Sequence, residues 1–268
     1  MCGRGGLDYD WKTLWAWMDL IGPAPDGGVR RLNVAPSRRH RDGVDFSRLP
    51  VVRSTRDGRG VDELVWPLIP TWLKGDLPKY STANCRTEAG EAFSATVSKK
   101  PTFRLAWKHQ RRCLVPMSWF YEWDKRQSPS QPWRVFPVDD PLLVMAGLWE
   151  RSTTPDGQAI DSFTILTTEP NRVLAGIGHH RAPVLIERPD FETWLTGDDD
   201  LAEKLIVPPA DEILQAEPVT RRVNNPGYQG EDLMVPDDVD TGGESDRQLA
   251  IDSASDRESD RAKKRKSE

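Results

Sequence analysis

The sequence predicts an α+β fold built on a curved, mostly antiparallel, barrel-like β-sheet with short flanking helices. Short apolar runs rich in β-branched and aromatic residues recur between turn signals, as is typical of antiparallel strands. The helical patterns between them are short and show neither a βαβ rhythm nor an internal repeat. At 268 residues the chain suits one large domain or two small ones. We expect one domain over residues 2–236 and a tail over residues 237–268.

The spacing of large apolar residues predicts a first helix over residues 10–21. Asp10 suits the N-cap position, and Gly22-Pro23 ends the helical pattern. Further helical patterns cover residues 86–97, 171–178 and 190–196. All of these patterns are short, which is why the sheet is expected to dominate the fold.

Strand patterns occupy much of the remaining chain. Residues 49–66 predict a hairpin with its turn near Asp57-Gly58, and residues 67–85 are irregular. A further strand is predicted over residues 181–186. Four other stretches predict short strands: CLVPMSWFYEW, PWRVFPV, LLVMAGLWE and SFTILTT.

The net charge of −5 by itself disfavours binding to nucleic acid, but the charges are unevenly distributed along the chain. Ten acidic and seven basic residues follow Pro236, so the body carries only −2. Two basic segments contain no acid: Arg30, Arg31, Arg38, Arg39 and Arg41, and then Lys99, Lys100, Arg104, Lys108, Arg111 and Arg112. They either form a phosphate-binding surface or lie scattered on different solvated faces.

Several classes of protein are disfavoured by the sequence. No apolar run approaches a membrane span and no signal peptide is visible, so we expect a cytoplasmic protein, nucleoid-associated if bacterial or phage. The wide spacing of Cys2, Cys85 and Cys113 argues against disulfides and a cysteine-rich zinc site. There is no HExxH, CxxC or Walker-type loop, so no metal or cofactor is expected. The tail should be disordered.

Cys2 raises a chemical possibility. Loss of Met1 would leave one residue carrying both a free α-amine and a thiol, with ordinary pKa values of about 8 and about 8.5. An amine condenses with an aldehyde to an imine, and a thiol at that spacing closes a five-membered thiazolidine. The alternative is an ordinary small residue in a frayed terminus.

Polar residues in apolar surroundings add to this possibility. Glu122 lies among aromatic residues, which favours its protonated form, and His179 precedes an apolar strand. A carboxyl group and an imidazole are suited to proton transfers near neutral pH, such as sugar ring opening and imine chemistry. Structural roles remain open for both, as they do for Asn33 and Asn84.

The motifs MCGR, NVAPS, NCRTEA, CLVPMSWFYEW, AGLWE, FTILTTEPN and HHRAPVLI occur in this order. Together they resemble the SOS-response-associated peptidase (SRAP) family of abasic-site-shielding proteins, from Cys2 to about Pro236. The resemblance implies that Cys2 is the nucleophile and that Asn33 and Asn84 hold the sugar and the amino terminus. It also implies that Glu122 is the acid–base group and that His179 assists ring opening.

The resemblance and the basic segments also suggest which residues contact DNA. Arg4 and Arg86 are expected to contact phosphates, whereas Trp66 and Trp119 are candidates either for base stacking or for the core. Arg111 and Arg112 are expected to bind phosphate on charge alone. The sequence departs from the family pattern at Gly5-Gly6, where an aromatic residue usually follows MCGR, and at Cys85, where the family has alanine.

The function that the resemblance implies is covalent trapping of abasic sites in single-stranded DNA during the DNA damage response. It includes a lyase-like activity and autoproteolytic removal of Met1. A general cysteine-type peptidase and a non-catalytic single-strand-binding module are the open alternatives. The expected partner is single-stranded DNA containing abasic sites, with no membrane. We expect a monomer, with repair or replication proteins as further partners of the tail.

Overall fold

The computed structural model describes residues 2–41, 43–88 and 90–237 and confirms the α+β class. In these ranges the strands are Gly5–Asp10 (β1), Gly28–Val34 (β2), Arg38–His40 (β3), Gly43–Asp45 (β4), Ser47–Thr55 (β5), Gly58–Trp66 (β6), Asn84–Arg86 (β7), Arg112–Met117 (β8), Trp119–Asp124 (β9), Gln131–Pro137 (β10), Leu143–Thr153 (β11), Ala159–Thr168 (β12), Ala182–Pro183 (β13) and Leu214–Pro218 (β14). The α-helices are Trp11–Met18 (α1), Phe93–Ser98 (α2), Pro101–Lys108 (α3), Arg172–Gly176 (α4), Phe191–Thr196 (α5) and Asp199–Lys204 (α6). Apart from Asp237, the predicted tail lies outside the described residues.

Strands β5, β6, β12, β11 and β8 close into a barrel-like sheet. The hairpin β5–β6 pairs on one side with β8, at Val52 opposite Leu114, and on the other with β12. Strand β11 pairs with both β8 and β12 and completes the ring. Closure satisfies the backbone hydrogen bonds that open sheet edges leave free. The predicted curved sheet is therefore confirmed.

A second sheet has the order β14-β10-β9-β1-β2. Its strand β1 is short but central, since β1 pairs with β2 along most of its length and with β9 at Gly5 and Gly6. The residues just before β1 therefore start inside the protein. Cys2 is 1% exposed and belongs to the same buried cluster as Leu49 of the barrel.

Local sequence patterns predicted several elements correctly. The Asp10 side chain accepts the Thr13 N–H at 2.8 Å and caps α1, although the helix ends at Met18 because Asp19 adopts the left-handed conformation. The hairpin predicted over residues 49–66 is confirmed. Patterns over residues 171–178 and 190–196 contain α4 and α5.

The helix predicted over residues 86–97 is wrong in its first half. Asn84–Arg86 is a strand that pairs in parallel with β12, and the Thr87 N–H continues this pairing to Thr167 O at 2.9 Å. Only the region of α2 is helical. The prediction also missed α3, despite Pro101 at its first position and a buried Phe103–Trp107 face.

The pair Gly5-Gly6 has a packing reason. A β-carbon at Gly6 would overlap the Trp119 ring, and one at Gly5 would lie 2.7 Å from the Met117 sulfur. The Trp119 ring thus lies where the side chain of a larger residue at position 6 would begin. The Arg134 guanidinium lies 5.6 Å from the Trp119 ring centroid.

Gly6→Ala is expected to lower the free energy of unfolding by about 1–3 kcal/mol, because the added methyl must displace the Trp119 ring. Chemical denaturation measures this change. Gly176→Ala is the matched control, since a β-carbon at Gly176 meets no atom within 4 Å. Equal stability of the two variants would show that the Gly6–Trp119 packing is unimportant.

Candidate functional site

The amino-terminal segment lies alongside β9. The Tyr121 N–H donates to Arg4 O at 2.9 Å, and Gly5 is opposite Phe120. This pairing brings Cys2 near Glu122, and burial and then the charge of the Glu122 carboxylate raise the pKa of the Cys2 thiol. Two residues far apart in sequence thus meet because β1 is inserted beside β9.

Asn84 holds the same segment from the opposite sheet. Its strand β7 pairs in parallel with β12, which places Asn84 opposite Ile165. The Asn84 Nδ2 donates to the Cys2 carbonyl oxygen at 2.8 Å, and both residues are buried. The amide therefore fixes the backbone of Cys2, in keeping with the expected role of Asn84 toward the amino terminus.

Glu122 and His179 form a buried pair. The His179 Nε2 lies 2.9 Å from Glu122 Oε2, and each side chain is 4% exposed. The His179 Nδ1 lies 2.8 Å from the Arg181 carbonyl oxygen, which can only accept, so Nδ1 carries a proton. A short contact between Nε2 and the carboxyl oxygen then requires one more proton between them. The pair is either imidazolium with carboxylate or imidazole with carboxylic acid.

The environment of Cys2 keeps its sulfur protonated. Burial raises the pKa of the Cys2 thiol well above its ordinary range, and the Glu122 carboxylate raises it further. The Cys2 Sγ also lies 3.9 Å from the Met145 sulfur. A thiol of this kind reacts as a nucleophile only when a neighbouring group removes its proton.

Arg4 and Asn33 form a second buried group next to this one. The Arg4 Nη1 donates to Asn33 Oδ1 at 3.0 Å and to Val223 O at 2.5 Å. The Asn33 Nδ2 donates to Val223 O at 3.1 Å and to Asn225 O at 2.8 Å. Asn33 therefore orients Arg4 and residues 223–225. Its expected contact with a sugar stays a prediction.

A cleft of about 740 Å³ opens beside Asn33. Four basic residues and two acidic residues line it: Arg30, Arg31, Arg38, His40, Asp45 and Glu231. Arg38 has no carboxylate within ion-pair distance among the described residues. Burial, and then the charge of Arg38, lower the pKa of Arg4 to about 10. Two guanidinium groups that destabilise each other are suited to an anion between them.

Four of the predicted DNA contacts require correction. Trp66 is fully buried, stacks on Phe163 and donates from Nε1 to Ala83 O at 3.0 Å, so it offers no face to a base. Trp119 is 4% exposed beneath Arg134 and is likewise a core residue.

The two neighbouring arginines are also structural. The side chain of Arg112 is fully buried and binds Trp194 O at 2.6 Å, Asp199 Oδ1 at 2.8 Å and Gly197 O. Arg111 is ion-paired with the buried Glu150. Their charges are therefore balanced within the fold, because sequence charge does not reveal which arginines cap buried backbone groups.

The structure also shows residues that were not predicted for the site. Arg38 lay in the first basic segment but was not singled out. Trp123 follows Glu122, is partly exposed, and lies 5.7 Å from Arg4 by ring centroid. Arg86, which was predicted, is exposed at the end of β7. Burial, and after it the charge of Arg86, lower the pKa of Arg181.

Across residues 2–41, 43–88 and 90–237, none of the helices combines the length and apolar content needed to cross a membrane. Within these ranges, no three His, Cys, Asp or Glu side chains are grouped in a way that could hold a metal ion.

The fold and the site thus describe an α+β protein with a closed sheet and a buried Cys2 near a buried Glu–His pair. The family model described as "SOS response associated peptidase (SRAP)" matches residues 1–226. The chain belongs to the SRAP family, and the resemblance inferred from its motifs is confirmed.

Relatives and solved structures agree with this assignment. The chain is 31% identical over 240 residues to "Abasic site processing protein YoqW" of Bacillus subtilis, covering 87% of this chain and 99% of that protein. It is 28% identical to "Abasic site processing protein HMCES" of Gallus gallus, covering 65% of this chain and 56% of that protein. A crystal structure of a Bacteroides thetaiotaomicron protein has a TM-score of 0.68 at 20% identity. It covers 88% of this chain and 100% of that one, and shows the shared fold.

In the native protein, alkylation of Cys2 by iodoacetamide is expected to be at least about tenfold slower at pH 8 than alkylation of free cysteine. The raised pKa lowers the thiolate fraction at any pH below it, and burial restricts access. Peptide mass spectrometry measures the rate at each cysteine, with the denatured chain as the control. Native Cys2 reacting as fast as free cysteine would contradict the buried, protonated thiol.

Proposed function

We propose that this protein binds single-stranded DNA and covalently traps abasic sites through Cys2, shielding them during the DNA damage response. The observation that carries the proposal is the buried grouping of Cys2, Asn84, Glu122 and His179. In this grouping Cys2 is the nucleophile, Asn84 holds the Cys2 backbone, and Glu122 and His179 share a proton. The names of the relatives YoqW and HMCES support an abasic site as the target.

The reaction begins with hydrolysis of the Met1–Cys2 bond, which the peptidase name of the family suggests the chain performs itself. While Met1 is attached, the Cys2 nitrogen is an amide nitrogen and does not condense with aldehydes. Hydrolysis consumes one water and releases methionine, leaving a primary amine on Cys2. The Asn84 amide at the Cys2 carbonyl holds this amine in place beside Glu122.

The covalent step loses one water overall. The Cys2 amine attacks the aldehyde carbon of the opened abasic sugar, the C–O bond breaks, and water leaves an imine. The thiol then adds across the imine: a C–S bond forms, and the sulfur proton moves to the nitrogen. Because the thiol is held protonated, the amine attacks first, and the ring closes only after the imine has formed.

Glu122 and His179 supply the proton transfers. The proton held between Nε2 and Oε2 is available to the departing oxygen, and the deprotonated pair can accept the thiol proton. His179 in addition protonates the ring oxygen of the closed sugar or removes its hydroxyl proton, which favours the aldehyde. The same groups serve the reverse reaction, since formation and reversal share the imine.

Positively charged side chains hold the DNA strand. The cleft beside Asn33, with Arg38 and Arg31, lies next to Arg4 and is suited to phosphates of an extended single strand. The partly exposed Trp123 replaces Trp66 and Trp119 as the candidate for base stacking.

Cys2→Ala is expected to abolish the heat-stable covalent adduct with a single-stranded oligonucleotide that contains one abasic site, because an imine can form but no ring can close. Denaturing gel electrophoresis after heating measures the yield. Cys85→Ala is the matched control, since Cys85 is also buried but follows Asn84 on β7. A heat-stable adduct that survives Cys2→Ala would refute the trapping mechanism. Binding of DNA by the parent protein without an adduct would favour a plain single-strand-binding module. Cleavage of unrelated peptides by the parent protein would favour a peptidase.

Glu122→Gln keeps the shape but cannot take up or release the shared proton. We expect it to slow release of DNA from a preformed adduct by about 10²–10⁴-fold, the usual contribution of a general acid–base group. A chase with excess abasic competitor measures the exchange rate. If the variant exchanges as fast as the parent, Glu122 is only a structural partner of His179.

Arg38→Ala is expected to weaken binding to undamaged single-stranded DNA and to reduce the slope of log affinity against log salt by about 0.7, the value for one phosphate contact. Arg104→Ala is the control, because Arg104 is equally charged and exposed on α3 but does not line the cleft. Fluorescence anisotropy at several salt concentrations gives both slopes. Identical slopes for the two variants would argue against the cleft.

A further inference from the structure

We propose that His180 and Lys125 form a phosphate-binding subsite at the edge of the candidate site, taking a phosphodiester of the strand beside the abasic nucleotide. The inference rests on the proposed function, because it assumes that a DNA strand enters at Cys2. It adds a pH-dependent contact on the side of the site formed by the loop that carries His179.

The His180 ring lies against the catalytic pair. It stacks on the His179 ring with centroids 5.2 Å apart and planes inclined by 28°. His179 is 5% exposed, whereas His180 is exposed to solvent. Among the described residues, no protein group forms a hydrogen bond with the His180 ring nitrogens. Both nitrogens are therefore available to a ligand that reaches His179.

The loop that carries His180 is held against the end of β9. The Arg126 Nη2 donates to Gly176 O at 2.8 Å and to Asp124 Oδ2 at 2.9 Å. Gly178 has a φ of 73°, and a β-carbon there would lie 2.8 Å from Asp124 Oδ1. Lys125 lies between Asp124 and Arg126 in the sequence and is exposed. These contacts anchor the loop that carries His180 to the chain segment that carries Lys125.

The charges around His180 favour an anion. Partial burial, and then the positive charges of His179, the amino terminus, Lys125 and Arg181, lower the pKa of His180. The nearby carboxylates are already engaged, since Asp124 binds Arg126 and Glu122 binds His179. Glu88 and Glu169 act on the neighbouring Arg181. The charges that act on His180 itself are positive, so a phosphodiester there would reduce their repulsion.

This arrangement fixes the direction of the pH response. With a lowered pKa, His180 is neutral near pH 7 and becomes a cation as the pH falls. A bound phosphodiester stabilises that cation, so binding and protonation strengthen each other. DNA affinity through this subsite must rise as the pH falls.

The test compares binding of an undamaged single-stranded oligonucleotide at about pH 7.5 and about pH 5.5 for the parent and His180→Asn. We expect the parent to bind about three- to tenfold more tightly at the lower pH than at the higher pH. The His180→Asn variant should show little of this increase in affinity. Fluorescence anisotropy measures both affinities. His40 is a second imidazole and lines the cleft, so the difference between parent and variant reports His180.

Two further variants sharpen the result. Lys125→Gln should weaken binding at both pH values, because it removes one positive charge from the subsite. His109→Asn, an exposed histidine at the end of α3, should keep the full pH response of the parent. An unchanged pH response in His180→Asn would overturn the subsite. Failure of the proposed function would look different: the parent itself would form no adduct with abasic DNA.

Discussion

The insertion of β1 between β2 and β9 determines the rest of the site. An amino-terminal strand at a sheet edge would fray, but here the backbone of Arg4 and Gly5 is paired with β9 and the Cys2 carbonyl is held by Asn84. These contacts fix the position of the Cys2 backbone. Glu122 lies on the neighbouring strand β9, so the fold sets the distance between the two residues that we propose as nucleophile and acid–base group.

Burial gives the site its chemistry at a cost in stability. Charged groups in the interior destabilise a fold unless they are paired, and the Glu122–His179 contact supplies this pairing while keeping one proton in place. The same burial raises the pKa of the Cys2 thiol and so keeps it protonated. In the proposed mechanism this makes the site selective, because the thiol acts only after the amine has captured an aldehyde. Arg4, held by Asn33 and the carbonyl of Val223, places a positive charge next to this interior.

The sequence predicted features that depend on local chemistry and missed those that depend on distant contacts. The Asp10 cap, the β5–β6 hairpin and the grouping of Cys2 with Glu122 and His179 followed from short motifs and from the family resemblance. The strand at Asn84–Arg86 could not be distinguished from a helix start, because its pairing partner β12 lies about 80 residues away. The two possibilities for Trp66 could not be separated, and Arg112 was expected on the surface, because residue type does not show whether a ring or a guanidinium is enclosed by the core.

The central claim is that the DNA is joined to Cys2 through both its nitrogen and its sulfur. Tandem mass spectrometry of the amino-terminal peptide, after nuclease and protease digestion of the adduct, tests this most directly. The account predicts a peptide that begins at Cys2, carries the sugar remnant, has lost one water, and has no thiol that can be alkylated. A remnant on a lysine such as Lys125, or a modified peptide that still begins with Met1, would contradict it.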